Sequence, residues 1–397
     1  MECLVKLDLW LTDKPVTHLQ TSTKQRVLFI DQIKALMIAL VIAGHVLNAF
    51  VFDSGFYGVH IPSGESHHPL FGGVAIWCMT FLNTFYMYML FLLSGYFVPR
   101  SLQKKGVRQY LSDRLLRLGI PFLAGLLIIN NVSMLLGKLS PSSPLTELPW
   151  RAVPLNHLGV LWFLVVLFAF DLLYCIWVVI RGDRFSVDAS VAIPKLRSWL
   201  ISAVVLAFIE VVMAMQGDFW AVLLRSPLDG LGAQGSHVVT YAFLFFLGCR
   251  ASAHRWLEQL DTHLVMRWFR VSILLALSVL AISLVLTSSG TMTKELGKFI
   301  LLTSLLNPFI GWGVMAYLLL WFQRNQHRYG PWLANAGVES FGAYIIHPLV
   351  LVLVLEAIGF IGLNPWLIAP AAMSLGIVIS FGVNHQLRRI PALARVI

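Results

Sequence analysis

Long apolar runs, separated by short charged stretches, dominate the chain from residue 28 onward. The runs are continuous and do not alternate at period two, which predicts membrane helices rather than a barrel. Each is close to the roughly 20 residues a helix needs to cross a hydrocarbon core. Ten spans are predicted, at about 28–50, 71–98, 115–137, 157–180, 198–216, 237–250, 271–288, 299–322, 339–360 and 366–386. The sixth is short unless it starts earlier. The fold expected is an all-α polytopic membrane protein with a transmembrane domain over 27–386. Residues 1–26 are mixed and charged, with no apolar core leading to a small-residue cleavage site, so they read as a cytoplasmic tail. Residues 387–397 read as a second short tail.

Composition agrees with that pattern. The 397 residues are 58% hydrophobic and only 12% charged, against about 25% charged in soluble domains; mean hydropathy is +0.78. The charge of +10 is distributed by side. With the N-terminus inside, the segments predicted to be cytoplasmic carry 23 of the 29 Lys and Arg, and the outer loops carry 5. The remaining one, Lys34, lies in the first span. This asymmetry predicts that both termini are cytoplasmic. It also accounts for the basic balance through an anionic lipid surface, with no nucleic acid needed.

Four stretches carry ionisable or aromatic residues where lipid should exclude them. The first span, IDQIKALMIALVIAGH, holds Asp31, Lys34 and His45. At about 100° per residue Lys34 and His45 share a face, and Asp31 lies one turn below Lys34. Such groups are costly in a membrane and suggest a reaction centre or a pathway. Next, a helix is expected to end at Ser94-Gly95-Tyr96, ahead of Pro99 and a cationic segment with Arg100, Lys104, Lys105, Arg108, Arg114 and Arg117. Arg114 and Arg117 are three apart and open the third span, so they are expected to converge on one anion, and Arg suits phosphate through its planar fork. The third stretch holds Trp162 at an outer helix end, where an interfacial belt is the simpler use, and Asp171, which should find a partner within the bundle. The fourth is ESFGAYIIHPL, with Tyr344 and His347 on one face and Pro348 after them. Glu210 and Glu356 belong to no motif.

Other features carry less. The outer loop holds Asp53, His60, Glu65, His67 and His68, at spacings that match no metal site, so no metal is expected. Cys3, Cys78, Cys175 and Cys249 lack a metal-like or disulfide pattern. The residues 251–270 read as an interfacial helix. There is no GxGxxG, Walker A or GxSxG sequence.

The four stretches, in this order, resemble the membrane acyltransferase-3 family, polytopic proteins that O-acylate sugars, glycans and other envelope molecules from acyl-CoA. The resemblance covers about 27–385. The family's first helix reads Leu-Asp-x-Leu-Arg, then an apolar run ending in His; Ile30, Asp31, Ile33, Lys34 and His45 hold those places. Ser94-Gly95-Tyr96, the Arg114/Arg117 pair with Pro121, Leu161-Trp162-Phe163-Leu164 and Tyr344-x-x-His347-Pro348 are similar to its other motifs. Lys34 departs from the family's Arg: the charge is kept and the bidentate fork is lost.

The resemblance implies His45 and Asp31 as catalytic residues, and Lys34, Arg114, Arg117, Ser94 and Tyr96 as donor-binding ones. Trp162, Tyr344 and His347 would lie around the acceptor. It also implies acyl-CoA, acetyl-CoA above all, as co-substrate, a glycan or small envelope molecule as acceptor, no bound cofactor, and a multi-pass place in the cell membrane. Asp31 lies about 21 Å of helix rise from His45, which fits the donor entrance better than direct contact. The competing reading is a proton-coupled transporter or flippase using Asp31, His45, Asp171, Glu210, His347 and Glu356 as a relay. No inverted repeat of the kind many transporters show is visible.

Overall fold

In a computed structural model the protein is described over residues 27–52, 54–61, 68–141, 143–182, 194–215, 237–328, 330–359, 364–394 and 396. The predicted N-terminal tail lies outside the described residues. The helices are α1 (Leu28–Val51), α2 (Pro69–Asn83), α3 (Tyr86–Arg114), α4 (Ile120–Ala124), α5 (Asn130–Lys138), α6 (Trp162–Arg181), α7 (Leu196–Met215), α8 (Val238–His254), α9 (Thr262–Ser288), α10 (Met292–Asn325), α11 (Gly330–Gly359), α12 (Pro365–Leu387) and the short α13 (Pro391–Ala394). The protein is an all-α, multi-pass membrane protein.

Among the described residues, eight helical stretches are long and apolar enough to cross a membrane. One of them, Pro69–Lys138, has 70 residues. At 1.5 Å per residue it would run to about 105 Å, far beyond a core of about 30 Å. The predicted second and third spans both fall inside it. The predicted sixth is α8, with 17 residues.

Three expectations are corrected. The chain does not stop at Ser94-Gly95-Tyr96. α3 runs through these residues and through Pro99 to Arg114, turning only at Gly106, where φ is 72° and ψ 166°. Gly95 serves helix packing instead. A Cβ there would lie 2.0 Å from the Phe245 carbonyl oxygen, and one on Gly248 would lie 2.1 Å from that of Leu92. Two glycines thus let the backbones of α3 and α8 touch, as small residues do in membrane bundles. The second span is broken after Asn83, because the buried Thr84 turns its hydroxyl onto the Phe81 carbonyl and Phe85 leaves helical geometry. Third, 251–270 forms no separate interfacial helix. α8 ends in a left-handed Arg255, and Asp261 caps α9 by accepting from the His263 and Leu264 amides.

α1 lies at the centre. It packs most extensively on α11 and also touches α2, α3, α10 and α12. Ile30, Ile33, Met37, Ile42 and Val46 are fully buried along it. Apolar side chains on the periphery, such as Leu116 and Leu127 before and after α4, Phe208 on α7 and Val378 on α12, are exposed to the space lipid would fill. The interior of the bundle is therefore the place where polar groups are worth locating.

Candidate functional site

The polar stripe of α1 divides into two ends. At one, Lys34 Nζ lies 3.3 Å from Asp31 Oδ1 and over the Phe97 ring, 4.7 Å from its centre. Beside Phe97, the buried Tyr96 donates through Oη to Glu258 Oε1 at 3.1 Å, and Arg255 Nε lies 3.6 Å from Glu258 Oε2. Arg100 covers the Tyr96 ring and donates to the Ser252 carbonyl at 3.3 Å. Three charged side chains that sequence reading did not join to Lys34, namely Arg100, Arg255 and Glu258, thus belong to this end, beside the expected partner Asp31. Ser94 is half-buried on the same helix as Tyr96.

At the other end, His45 Nδ1 bonds the Val41 carbonyl at 2.7 Å. The bond holds the imidazole to its own helix and leaves Nε2 as the nitrogen turned away from the backbone. His45 meets His347 of α11 with ring centres 5.1 Å apart, and Phe56 with ring centres 5.3 Å apart. His347 is wholly buried; its Nδ1 bonds the Tyr344 carbonyl at 2.5 Å, and its Nε2 is buried without a partner. Tyr344 Oη donates to the Val160 carbonyl. A Cβ on Gly44 would lie 4.0 Å from Cε2 of Tyr86, so the start of α3 also faces this place. The loop after α1 closes it. Phe56 and Val59 pair across a tight turn, Tyr57 adopts φ 50°, and its Oη donates to Asn130 Oδ1 at 2.8 Å. Asn130 Nδ2 in turn donates to the His157 and Leu158 carbonyls at 3.0 Å.

The structure therefore brings His45, His347 and Tyr344 together, and keeps Asp31 with Lys34 at the opposite end of α1. Trp162 is 7% exposed and stacks on Tyr241 with ring centres 5.5 Å apart. It is an interior side chain, and the interfacial-belt use is excluded by its burial. Its neighbour Phe163 touches Tyr344, ring centres 5.9 Å apart, so Trp162 is linked to the histidine pair through two rings, Phe163 and Tyr344.

Arg114 and Arg117 do not converge on one anion. Arg114 Nε lies 2.9 Å from Asp171 Oδ2 and donates to Tyr110 Oη, whose own hydroxyl donates to Asp171 Oδ1 at 2.6 Å. Asp171 thus finds the partner expected for it. Arg117 is exposed. The residues from Leu115 to Gly119 form a π turn, which places more residues in a turn than an α-helix and separates the two side chains.

Sequence reading missed a second buried polar centre. Glu210 of α7 is fully buried and accepts from Tyr88, from Thr240 Oγ1 at 2.6 Å and from Asn307 Nδ2 at 3.2 Å; His237 Nδ1 lies 3.1 Å from its Oε2. The partners come from α3, α8, α10 and the residue before α8, so no local pattern could announce them. The ionisable groups of the transporter reading are held in separate places: Asp171 with Arg114, Glu210 with His237, and His45 with His347. Among the described residues no group of three His, Cys, Asp or Glu side chains is placed to hold a metal ion. Asp53, Glu65 and His67 of the outer loop lie outside the described residues.

Residues 27–385, nearly the whole chain, match the family model described as an acyltransferase domain. No curated protein and no solved structure matches the chain.

Proposed function

The chain thus belongs to the acyltransferase-3 family and is an acyltransferase of the membrane; we propose that it moves an acyl group, acetyl by first choice, from acyl-CoA to a hydroxyl of a glycan or other envelope molecule. The observation that carries the proposal is the setting of His45. It is the ionisable group of α1 that reaches the bundle interior, with its tautomer set by Val41 and its ring against His347. In this reading His45 Nε2 takes the proton of the acceptor hydroxyl as that oxygen attacks the thioester carbon. The carbon–sulfur bond breaks, and the thiolate of CoA recovers the proton.

The donor's phosphates would be met at the Lys34 end, where Lys34 lies over Phe97 and the preceding residue, Tyr96, lies under Arg100 and donates to Glu258, the partner of Arg255. With both termini cytoplasmic, that end faces the compartment that supplies acyl-CoA, and His45 lies toward the outer leaflet of the cell membrane. Asp31 holds Lys34 and acts at this entrance. Arg117, exposed on the same side in this reading, would add charge for the donor, whereas Arg114 is engaged by Asp171. Tyr344 and His347 shape the place the acceptor enters, and Trp162 backs them through Phe163.

The test works with the acceptor still unidentified. Membrane vesicles are given labelled acetyl-CoA, and label in envelope glycans and lipids is compared between wild type and His45→Ala. Label with wild type alone supports acyl transfer through His45. Equal label in both would remove His45 from the chemistry, and no label with well-folded wild type would turn attention to another acyl donor.

A further inference from the structure

Resting on the acyl-transfer reading above, we propose that Pro348 sets the tautomer of His347, and that the Nε2 atoms of His347 and His45 together receive two hydroxyls of one diol acceptor. The argument begins with a missing donor. In a helix the amide of residue 348 would bond the carbonyl of Tyr344, but proline has no N–H. Pro348 lies inside α11, so that carbonyl is left open. His347 Nδ1 lies 2.5 Å from the same oxygen and takes the absent donor's place. A carbonyl oxygen only accepts, so Nδ1 carries the proton.

The other nitrogen follows from burial. His347 Nε2 is buried without a hydrogen-bond partner. A proton there would be an unsatisfied donor in a dry interior, a costly arrangement. His347 therefore offers Nε2 as a bare acceptor. His45 repeats the arrangement by a different route: its Nδ1 bonds the carbonyl of Val41, one helical turn back. Two imidazoles with ring centres 5.1 Å apart each have their Nδ1 tied to backbone. Phe56 covers both rings, 5.3 Å from His45 and 6.4 Å from His347 between centres.

Proton counting then defines the ligand. A hydroxyl has one proton to give, and the attacking hydroxyl gives it to His45. The His347 acceptor calls for a second O–H group on the same molecule. That hydroxyl keeps its proton, donates a hydrogen bond to His347 Nε2 and turns its neighbour toward the thioester. A molecule with adjacent hydroxyls, as on a sugar ring, meets both nitrogens, whereas a simple alcohol leaves His347 unpaired. Pro348 acts through His347 and is a positioning residue.

Two measurements test this on the full chain in detergent micelles and in vesicles. Histidine labelled with ¹³C and ¹⁵N reports the tautomer by NMR, with the His347 signal identified from its loss in His347→Gln. The Nδ1–H form is expected in wild type, and a mixture in Pro348→Ala, where the restored amide competes for the Tyr344 carbonyl. Removing an interior helix proline favours the helix, so a purely structural role predicts equal or better activity. The proposal predicts the reverse: a loss of acetyl transfer on the order of tenfold to a hundredfold, with an unchanged or raised Tm. In wild-type vesicles cyclohexane-1,2-diol should inhibit label transfer at about tenfold lower concentration than cyclohexanol, and His347→Leu should erase the difference. An Nε2–H tautomer in wild type, full activity of Pro348→Ala, or a diol no better than the alcohol would overturn it. Activity surviving in His45→Ala would instead overturn the acyl-transfer reading beneath it.

Discussion

Arg114 at the end of α3 and Asp171 in the middle of α6 form an ion pair at 2.9 Å, with Tyr110 bonded to both and the carboxylate wholly buried. A buried pair of this kind contributes little net stability compared with apolar residues of the same shape, yet breaking one side leaves a charge stranded. Asp171→Ala is therefore expected to destabilise the bundle by about 3–5 kcal/mol. The check is a large fall in Tm in detergent. Replacing both residues by apolar ones, Arg114→Met with Asp171→Leu, should recover much of that loss. An Arg114→Ala variant that raises the KM for acyl-CoA without lowering Tm would show instead that Arg114 serves the donor.

Lys34 differs from an arginine in presenting a point charge, and here that charge lies over the Phe97 ring while contacting Asp31. If the position grips phosphate, Lys34→Arg should preserve or improve kcat/KM for acyl-CoA, since the guanidinium adds a second hydrogen bond. Lys34→Met should raise that KM and leave the KM of the acceptor unchanged. Complete loss of activity in Lys34→Arg would point to a different use of the ammonium.

Arg117 lies within the π turn and is exposed. Arg117→Ala should raise the KM for acyl-CoA modestly and alter kcat little. A KM indistinguishable from wild type would reduce Arg117 to a topology signal, as basic residues beside a membrane often are.

Gly95 and Gly248 allow α3 and α8 to meet backbone to backbone. Gly95→Ala places a methyl 2.0 Å from the Phe245 carbonyl oxygen and forces the helices apart. Overpacking of this kind costs about 1–3 kcal/mol, and more where backbone must move. Thermal unfolding followed by size-exclusion chromatography should show a lower Tm for this variant, whereas Gly382→Ala, with nothing within 4 Å of the added carbon, should be close to neutral.

Much of the architecture is legible in the sequence because it is local. A run of apolar residues forms a membrane helix wherever it occurs, and the spans predicted around α1, α6, α7 and α12 agree with the helices to within five residues, whereas α9, α10 and α11 begin seven to nine residues before the predicted spans. The errors lie where packing overrides local signals. Ser94-Gly95-Tyr96 looks like a helix end, because glycine and a following proline usually punctuate helices. In the bundle Gly95 is needed for contact with Phe245, and the helix continues through Pro99, which is itself buried against the bundle. Of the site, the stripe on α1 is readable from the 3.6-residue period. The nearness of His347 to His45 is not, since roughly three hundred residues separate them and only the pairing of α11 with α1 joins them. The Glu210 cluster is hidden for the same reason.

The straight run of α1 between Lys34 and His45 has one more effect. Eleven residues of helix place the ammonium and the imidazole about 16 Å apart along the axis. A donor whose anionic end is held by the one must extend a slender arm over that length before its reactive carbon meets the other. The helix is thus a yardstick: acyl-CoA, with its long pantetheine arm, can span it, whereas acetyl phosphate, with charge and acyl group on neighbouring atoms, can occupy either end but never both.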